Sequence, residues 1–214
     1  MINEAIIAEA VKKAIAEMNT DDKNEIKVGV SARHVHLSQE DLETLFGKGA
    51  QLTVKKQLMG REYASDQLVT LVGPSLRAIE KVRVLGPVRK HTQVEISRTD
   101  TFVLKVSPPV RPSGEVEGSE KIVIVGPKGS VYLKQGVIIA NRHIHLTPEY
   151  AEKHGIKDND YVDVMIEGEN LKTTKFYGVQ VRVRDDFNVE MHIDTDDANS
   201  AGLKNGNKVR IIQK

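Results

Sequence analysis

One six-residue pattern, Arg-His-x-His-Leu-(Ser/Thr), occurs twice in this chain, as "RHVHLS" from Arg33 and as "RHIHLT" from Arg142. The first histidines of the two copies, His34 and His143, stand 143 − 34 = 109 residues apart, about half of a 214-residue sequence. Each copy follows a strand-like run and precedes a short capped helical segment. The chain therefore reads as an internal duplication of a strand–His-x-His–helix unit.

The sequence around these units is punctuated every few residues. From Ile26 onward come "IKVGV", "QLTVKK", "LVTLVGP", "KVRVLGP", "TQVEIS", "TFVLKV", "KIVIVGP", "SVYLKQGVIIA", "YVDVMI", "VQVRVR" and "NKVRIIQK". These runs are rich in Val and Ile, often alternate, and frequently end at Gly or Gly-Pro, which predicts strands. Many short, closely spaced strands imply a mainly β chain of barrels or sandwiches, not a βαβ sheet. The helices are few. Ser38 with Asp41 predicts an N-cap with an acidic third residue, ahead of Leu42, Leu45 and Phe46. Thr147-Pro148-Glu149 puts proline at a first helical position, with Gly155 as the stop. The Pro/Gly/Ser-rich stretch "SPPVRPSGEVEGSE", 107–120, is either an interdomain linker or a functional loop.

Composition narrows the function classes. At 39% hydrophobic and 29% charged residues, the chain suits a soluble globular protein of one or two domains. A net charge of +1 supplies no field toward nucleic acid or membrane, and 4% aromatic residues disfavour a base-stacking surface. The absence of cysteine excludes disulfides, thiolate metal sites and a cysteine nucleophile. No apolar run reaches membrane-span length. The opening "MINEAIIAEAVKKAIAEM" carries Glu4 and Glu9, so it lacks the apolar core of a secretory signal, and an intracellular location is expected. Ile2, Ile6, Ala10, Ala14 and Met18 recur at helical spacing there. That helix either packs on its own domain or docks on a partner. "NTDDKNE" after it reads as a linker.

Along a strand, residues i and i+2 face the same side. His34 and His36 thus reach one point, and so do His143 and His145. Neutral imidazoles suit Zn²⁺ or another divalent transition metal, and a catalytic site takes three protein ligands. A third candidate ligand appears in each half. Aligning "TQVEISRTD" with "NVEMHIDTD" on their Thr-Asp endings, with a one-residue gap, brings Glu95 and His192 together. The candidate sets are His34, His36 and Glu95, and His143, His145 and His192. A lone His-x-His is more often a surface or hydrogen-bonded pair. The repeated frame, which uses four of the seven histidines, is what favours metal. His91 and His154 lack that frame and read as surface histidines.

Several arginines are candidate anion clamps, because the guanidinium fork matches phosphate or carboxylate oxygens. Arg89 lies six residues before Glu95 and shares its face if the strand is unbroken. Arg182 and Arg184 lie upstream of His192, and Arg111 lies in the Pro-rich stretch. Arg33 and Arg142 alternate away from the histidine face, toward either acidic partners or a ligand. No P-loop, Rossmann glycine turn or Gly-x-Ser-x-Gly elbow occurs.

With "SARHVHLS", "GPVRKHTQVEISRTD", "ANRHIHLTPE" and "NVEMHIDTDDAN", the chain resembles the PduL-type phosphate propanoyltransferases, phosphotransacylases of bacterial microcompartments. The likeness runs from about Lys27 to Ile212. It implies the interconversion of acyl-CoA plus phosphate with acyl phosphate plus CoA, propanoyl-CoA being the typical substrate. It implies two interleaved β-barrels with short capping helices, over roughly 33–140 (with a lid insertion near 47–67) and over 25–32 plus 141–214. It also implies two Zn²⁺ ions, one on His34, His36 and Glu95 and one on His143, His145 and His192. Arg89 carries over as the phosphate-binding residue. Ser31, Ser113 and Arg182 match positions near the active site. Members of the family often carry an N-terminal encapsulation peptide, which residues 1–20 fit, with shell or core proteins of the compartment as partners through residues 1–18. A homo-oligomer is expected, in a microcompartment or the cytoplasm, with no nucleic-acid or membrane partner. The competing readings are a metal-dependent hydrolase of an acyl-CoA or related ester, and a non-catalytic metal-stabilised interaction module.

Overall fold

A computed structural model describes residues 24–212. The expected helix over residues 1–20 lies outside the described residues. In chain order the elements are β1 (Glu25–Ser31), β2 (His34–His36), α1 (Gln39–Phe46), β3 (Val54–Gln57), β4 (Tyr63–Val72), β5 (Ala78–Gly86), β6 (Gln93–Glu95), α2 (Arg98–Leu104), β7 (Val110–Arg111), β8 (Glu120–Val125) and β9 (Ser130–Ala140). The second half supplies β10 (His143–Leu146), α3 (Pro148–Lys153), β11 (Tyr161–Ile166), β12 (Thr174–Val183), β13 (Glu190–Asp194), α4 (Thr195–Ala201) and β14 (Lys208–Ile212).

The strands close into two six-membered rings. One runs β4–β5–β2–β6–β9–β8 and back to β4. The other runs β11–β12–β10–β13–β1–β14 and back to β11. Read in that order, both rings pair antiparallel, parallel, antiparallel, parallel, antiparallel, antiparallel. The duplication seen in the sequence is thus a duplication of topology. Closure leaves neither ring an open edge, which suits short, β-branched strands whose unpaired backbone would otherwise invite association.

The first strand of each repeat is exchanged. β1 lies in the ring of the C-terminal half and leads into β2 of the other ring. β9 lies in the N-terminal ring and leads into β10 of the C-terminal one. The strand before each histidine pair therefore belongs to the opposite barrel, and both His-x-His strands start where the two barrels meet.

Alternation fills each interior. Val28, Ile144, Val164, Val181, Met191 and Ile211 pack in the C-terminal barrel, and Val35, Leu71, Val84, Val94, Ile124 and Val137 in the other. Burying each such side chain contributes about 1.5–3 kcal/mol before entropy is counted. Caps set the helix starts. Ser38, Ser97, Thr147 and Asp194 each accept the backbone N–H of the residue three positions on. Among the described residues no helix is long and apolar enough to cross a membrane.

Two expectations change, and one left open is decided. "TFVLKV", expected as a strand, begins inside α2: Ser97 and Asp100 form a reciprocal capping box that starts a helix, and Phe102 and Val103 stay exposed. The Pro/Gly/Ser-rich stretch is a loop within one barrel and carries Ser113 and Gly114 to the site, so it does not link domains. Finally, the Glu95 and His192 segments superpose without a gap. Ser97 and Asp194 are the equivalent N-caps, and Asp100 and Asp197 are the equivalent third residues. The shared Thr-Asp endings are offset by one position, and the equivalence of Glu95 with His192 survives.

The same register explains Arg33 and Arg142. Arg33 pairs with Asp100 at 2.6 Å, and Arg142 grips Asp197 through two hydrogen bonds of 2.8 Å. Each arginine ties the start of a histidine strand to the helix that follows the third candidate ligand. Both guanidinium pKa values rise, chiefly through these hydrogen bonds.

Candidate metal centre

Strand pairing builds both ligand sets. His34 lies directly across from Glu95 in the β2–β6 pair, and His143 directly across from His192 in the β10–β13 pair. With His36 and His145 two residues further along the same faces, each set holds three donors within 4.8 Å of one another. The rings of His143, His145 and His192 lie 4.7–5.3 Å apart, centroid to centroid, and those of His34 and His36 lie 5.0 Å apart.

The imidazoles are oriented from behind. His34 Nδ1 lies 2.9 Å from the Ala32 carbonyl oxygen, and His143 Nδ1 lies 2.8 Å from that of Asn141. A carbonyl only accepts, so each Nδ1 carries the hydrogen and Nε2 faces the site. His36 Nδ1 is buried and has no hydrogen-bond partner among the described residues. A buried, orphaned imidazole nitrogen beside a second imidazole and a carboxylate fits a metal ligand. The nitrogen-rich, sulfur-free donor sets suit zinc or a neighbouring first-row ion.

Electrostatics keep most of these imidazoles neutral. Burial, with nearby positive groups, lowers His36 and His145 to about 2 and His143 to about 4. Burial also opposes a charge on His34, but the Glu95 carboxylate 3.5 Å away outweighs it and raises that pKa. Burial alone would raise Glu95, and the adjacent His34 and His36 with the Ser113 hydrogen bond hold it well below the usual carboxylate range. The two sets face one cavity of about 30 Å³. His34 and Glu95 line it from one barrel and His143 and His192 from the other, with Ser31 at its wall.

Arg89 reaches this centre by an unexpected route. β6 begins only at Gln93, so no unbroken strand carries Arg89 onto the face of Glu95. Its backbone is instead pinned to the Leu37 carbonyl, and its Nη1 donates to Ser113 Oγ at 3.2 Å. Ser113 in turn donates to Glu95 Oε1 at 2.7 Å. Arg182 lies across from His145 in the β10–β12 pair. Burial lowers its pKa, and its charge acts on His143 and His145 while it feels Glu95 of the other set. Arg184 turns away to Asp186 and the Phe187 ring, and Arg111 is held by the Glu117 carbonyl. His91 is exposed, whereas His154 is half-buried against Tyr150.

Two residues were not foreseen. Gln93, 2% exposed, donates from Nε2 to Glu95 Oε1 (2.6 Å) and to Ser113 Oγ (2.9 Å), and its Oε1 accepts from Gly114 N–H (2.8 Å). Its counterpart in the other barrel is Glu190, across from His145 and 3.2 Å from His192 Nε2. The signal was present: Gln93-x-Glu95 and Glu190-x-His192 have the same spacing within the aligned segments.

The family model described as phosphate propanoyltransferase matches residues 27–204. This chain belongs to that family. Proteins named phosphate propanoyltransferase are similar along most of their length. The one from Thermotoga maritima is 57% identical over 88% of this chain and 89% of its own. The one from Lachnoclostridium phytofermentans is 54% identical over 87% of both. The Priestia megaterium protein is 47% identical over 95% of this chain and 92% of its own. All six candidate ligands and Arg89 fall inside the matched region.

Proposed function

We propose that the chain transfers an acyl group, propanoyl by preference, between CoA and phosphate at a dinuclear zinc centre. The observation that carries this reading is the relay from Arg89 through Ser113 to Glu95, which sets an anion-binding guanidinium beside a metal-ligand set. Family membership and the relatives' names agree with it. His34, His36 and Glu95 would hold one ion, and His143, His145 and His192 the other. Zinc, when bound, supplies Lewis acidity toward the thioester carbonyl and a soft acceptor for thiolate.

The chain's own residues do the rest. Arg89 holds phosphate in a fixed orientation, which turns the encounter of two substrates into a positioned one. A phosphate oxygen attacks the thioester carbonyl carbon and forms the C–O bond. The C–S bond then breaks, and CoA leaves as the thiolate with its electron pair. Arg182, partly buried and across from His145, adds positive charge where negative charge develops. No side chain is needed as nucleophile. The sequence has no cysteine, and the Ser113 hydroxyl is committed to Glu95. Transfer is therefore direct, without an acyl-enzyme. The amphipathic spacing of residues 1–18 supports attachment to shell or core proteins of a microcompartment.

The test is the phosphate dependence of CoA release. A transferase consumes acyl-CoA only with phosphate, whereas a hydrolase on the same ligands does not need it. In Arg89→Ala, loss of a charge-assisted contact of about 1.5–3 kcal/mol lowers kcat/KM for phosphate roughly ten- to a hundredfold. Unchanged phosphate kinetics in that variant would overturn the assignment and move it to Arg182.

A further inference from the structure

The turn joining β3 to β4 belongs to one barrel and engages site residues of both. It is closed on itself by Leu58 N–H to the Glu62 carbonyl and Glu62 N–H to the Met59 carbonyl, each 3.0 Å. Gln57 Nε2 braces it by donating to the Gly60 and Glu62 carbonyls. The turn makes three outward contacts. The Glu62 carboxylate accepts from Arg89 Nη2 at 2.6 Å. Met59 Sδ lies 2.9 Å from His145 Nδ1. Gly60, at φ 57°, lies so close to the opposite barrel that a Cβ there would stand 3.0 Å from the Asp186 carbonyl oxygen.

Glu62 and Ser113 thus occupy the two ends of the Arg89 fork that a phosphate would use. The Glu62 charge also reaches His34. A carboxylate that holds one end of this guanidinium occupies the position of an anionic substrate. The pair is partly open to water, with Arg89 30% and Glu62 46% exposed, so it is held weakly enough for an incoming dianion to displace.

On the reading that Arg89 is the phosphate seat, we propose that Glu62 is an internal anion competing for that seat. Phosphate binding then displaces Glu62 and lifts the Leu58–Glu62 turn from His145. Glu62 sets the affinity for the anionic substrate, and the turn couples filling of the Arg89 seat to uncovering of the second histidine set.

Two measurements test this on the full-length protein. In steady-state kinetics, Glu62→Gln lowers the KM for inorganic phosphate about two- to fivefold, the range expected when a partly exposed ion pair stops competing. In carbon-13 methyl NMR, with the Met59 signal assigned from Met59→Leu, inorganic phosphate shifts the Met59 methyl. Glu62→Gln and Arg89→Ala each place it near the phosphate-bound position without phosphate. If Arg89→Ala raises the phosphate KM while Glu62→Gln leaves it unchanged or raises it, the seat stands and the competing anion is refuted. If Arg89→Ala moves the methyl but leaves phosphate kinetics unchanged, the turn is tethered as described, the seat is elsewhere and the proposal fails with it. A Met59 methyl that is unmoved by saturating phosphate overturns the lifting of the turn.

Discussion

Replacing Gln93 by leucine keeps the side chain's approximate volume and removes three hydrogen bonds at once. One of them, to the Glu95 carboxylate, is charge-assisted and contributes about 1.5–3 kcal/mol, and the two neutral ones contribute about 0.5–1.5 each. Burial of leucine's extra apolar surface offsets part of that sum, so the expected stability loss is about 2–4 kcal/mol. The larger consequence is local. Without Gln93, the Glu95 oxygen keeps only Ser113, and the Ser113–Gly114 backbone loses its anchor on β6. Losing a partner that orients a metal ligand typically weakens metal affinity ten- to a hundredfold. The asymmetry of the effect is what makes it decisive. All of Gln93's hydrogen bonds go to the Glu95–Ser113–Gly114 side and none to His143, His145 or His192. Competition between the protein and a chromogenic chelator for zinc should therefore resolve two classes of site, of which Gln93→Leu weakens one. Equal weakening of both classes, or of neither, would refute the reasoning that Gln93 acts by holding Glu95.

His36→Ala and His145→Ala should each lower the metal content, measured by elemental analysis, from about two ions per chain toward one, and each should abolish most acyl transfer. Full metal content and activity in the double variant would remove the dinuclear centre. In chelator-treated protein, the lowered pKa values of His36, His143 and His145 mean that the unfolded chain binds protons below about pH 6.5 that the native one does not. Stability should therefore fall with pH through that window, while the raised pKa of His34 acts in the opposite sense. The net slope approaches three groups' worth, about 4 kcal/mol per pH unit, once His34 is protonated in both states below about pH 6.5, and urea midpoints at pH 7.5 and 5.5 would measure the loss. A midpoint that rises on acidification would contradict it. Deleting residues 1–20 should leave turnover unchanged and abolish recruitment to a compartment in a co-expression assay, and loss of activity on deletion would assign that segment to the enzyme itself.

Much of this architecture was legible because strand chemistry and site chemistry share one period. The two-residue alternation that hides Val35 and Ile144 in the cores also aims His34 with His36, and His143 with His145, at single points. The pairing of Glu95 with His192 was legible from repetition alone. What stayed hidden depends on contacts distant in sequence. Arg89 meets Glu95 only through Ser113, 24 residues further along, and Glu62 meets Arg89 across 27. α2 was misread because Thr101, Phe102 and Val103 favour strands one by one, while the Ser97–Asp100 box decides how the segment starts. The exchange of β1 with β9 leaves no mark in either strand, because a strand's composition does not say which barrel it completes.

That exchange also sets an order of events during synthesis. The N-terminal barrel holds all its strands once Ala140 has emerged. β1, made before every other strand of its ring, pairs with β13 and β14; Glu25 meets Arg210, 210 − 25 = 185 residues later. At about 5–20 residues per second on the ribosome, that interval is roughly 10–40 s. For most of it, until β13 is made, β1 exposes the unpaired backbone of a strand that has no partner yet. Its sequence is suited to the wait: Glu25 and Lys27 alternate with Ile26 and Val28, so a charge interrupts each apolar position that a neighbouring nascent chain might capture.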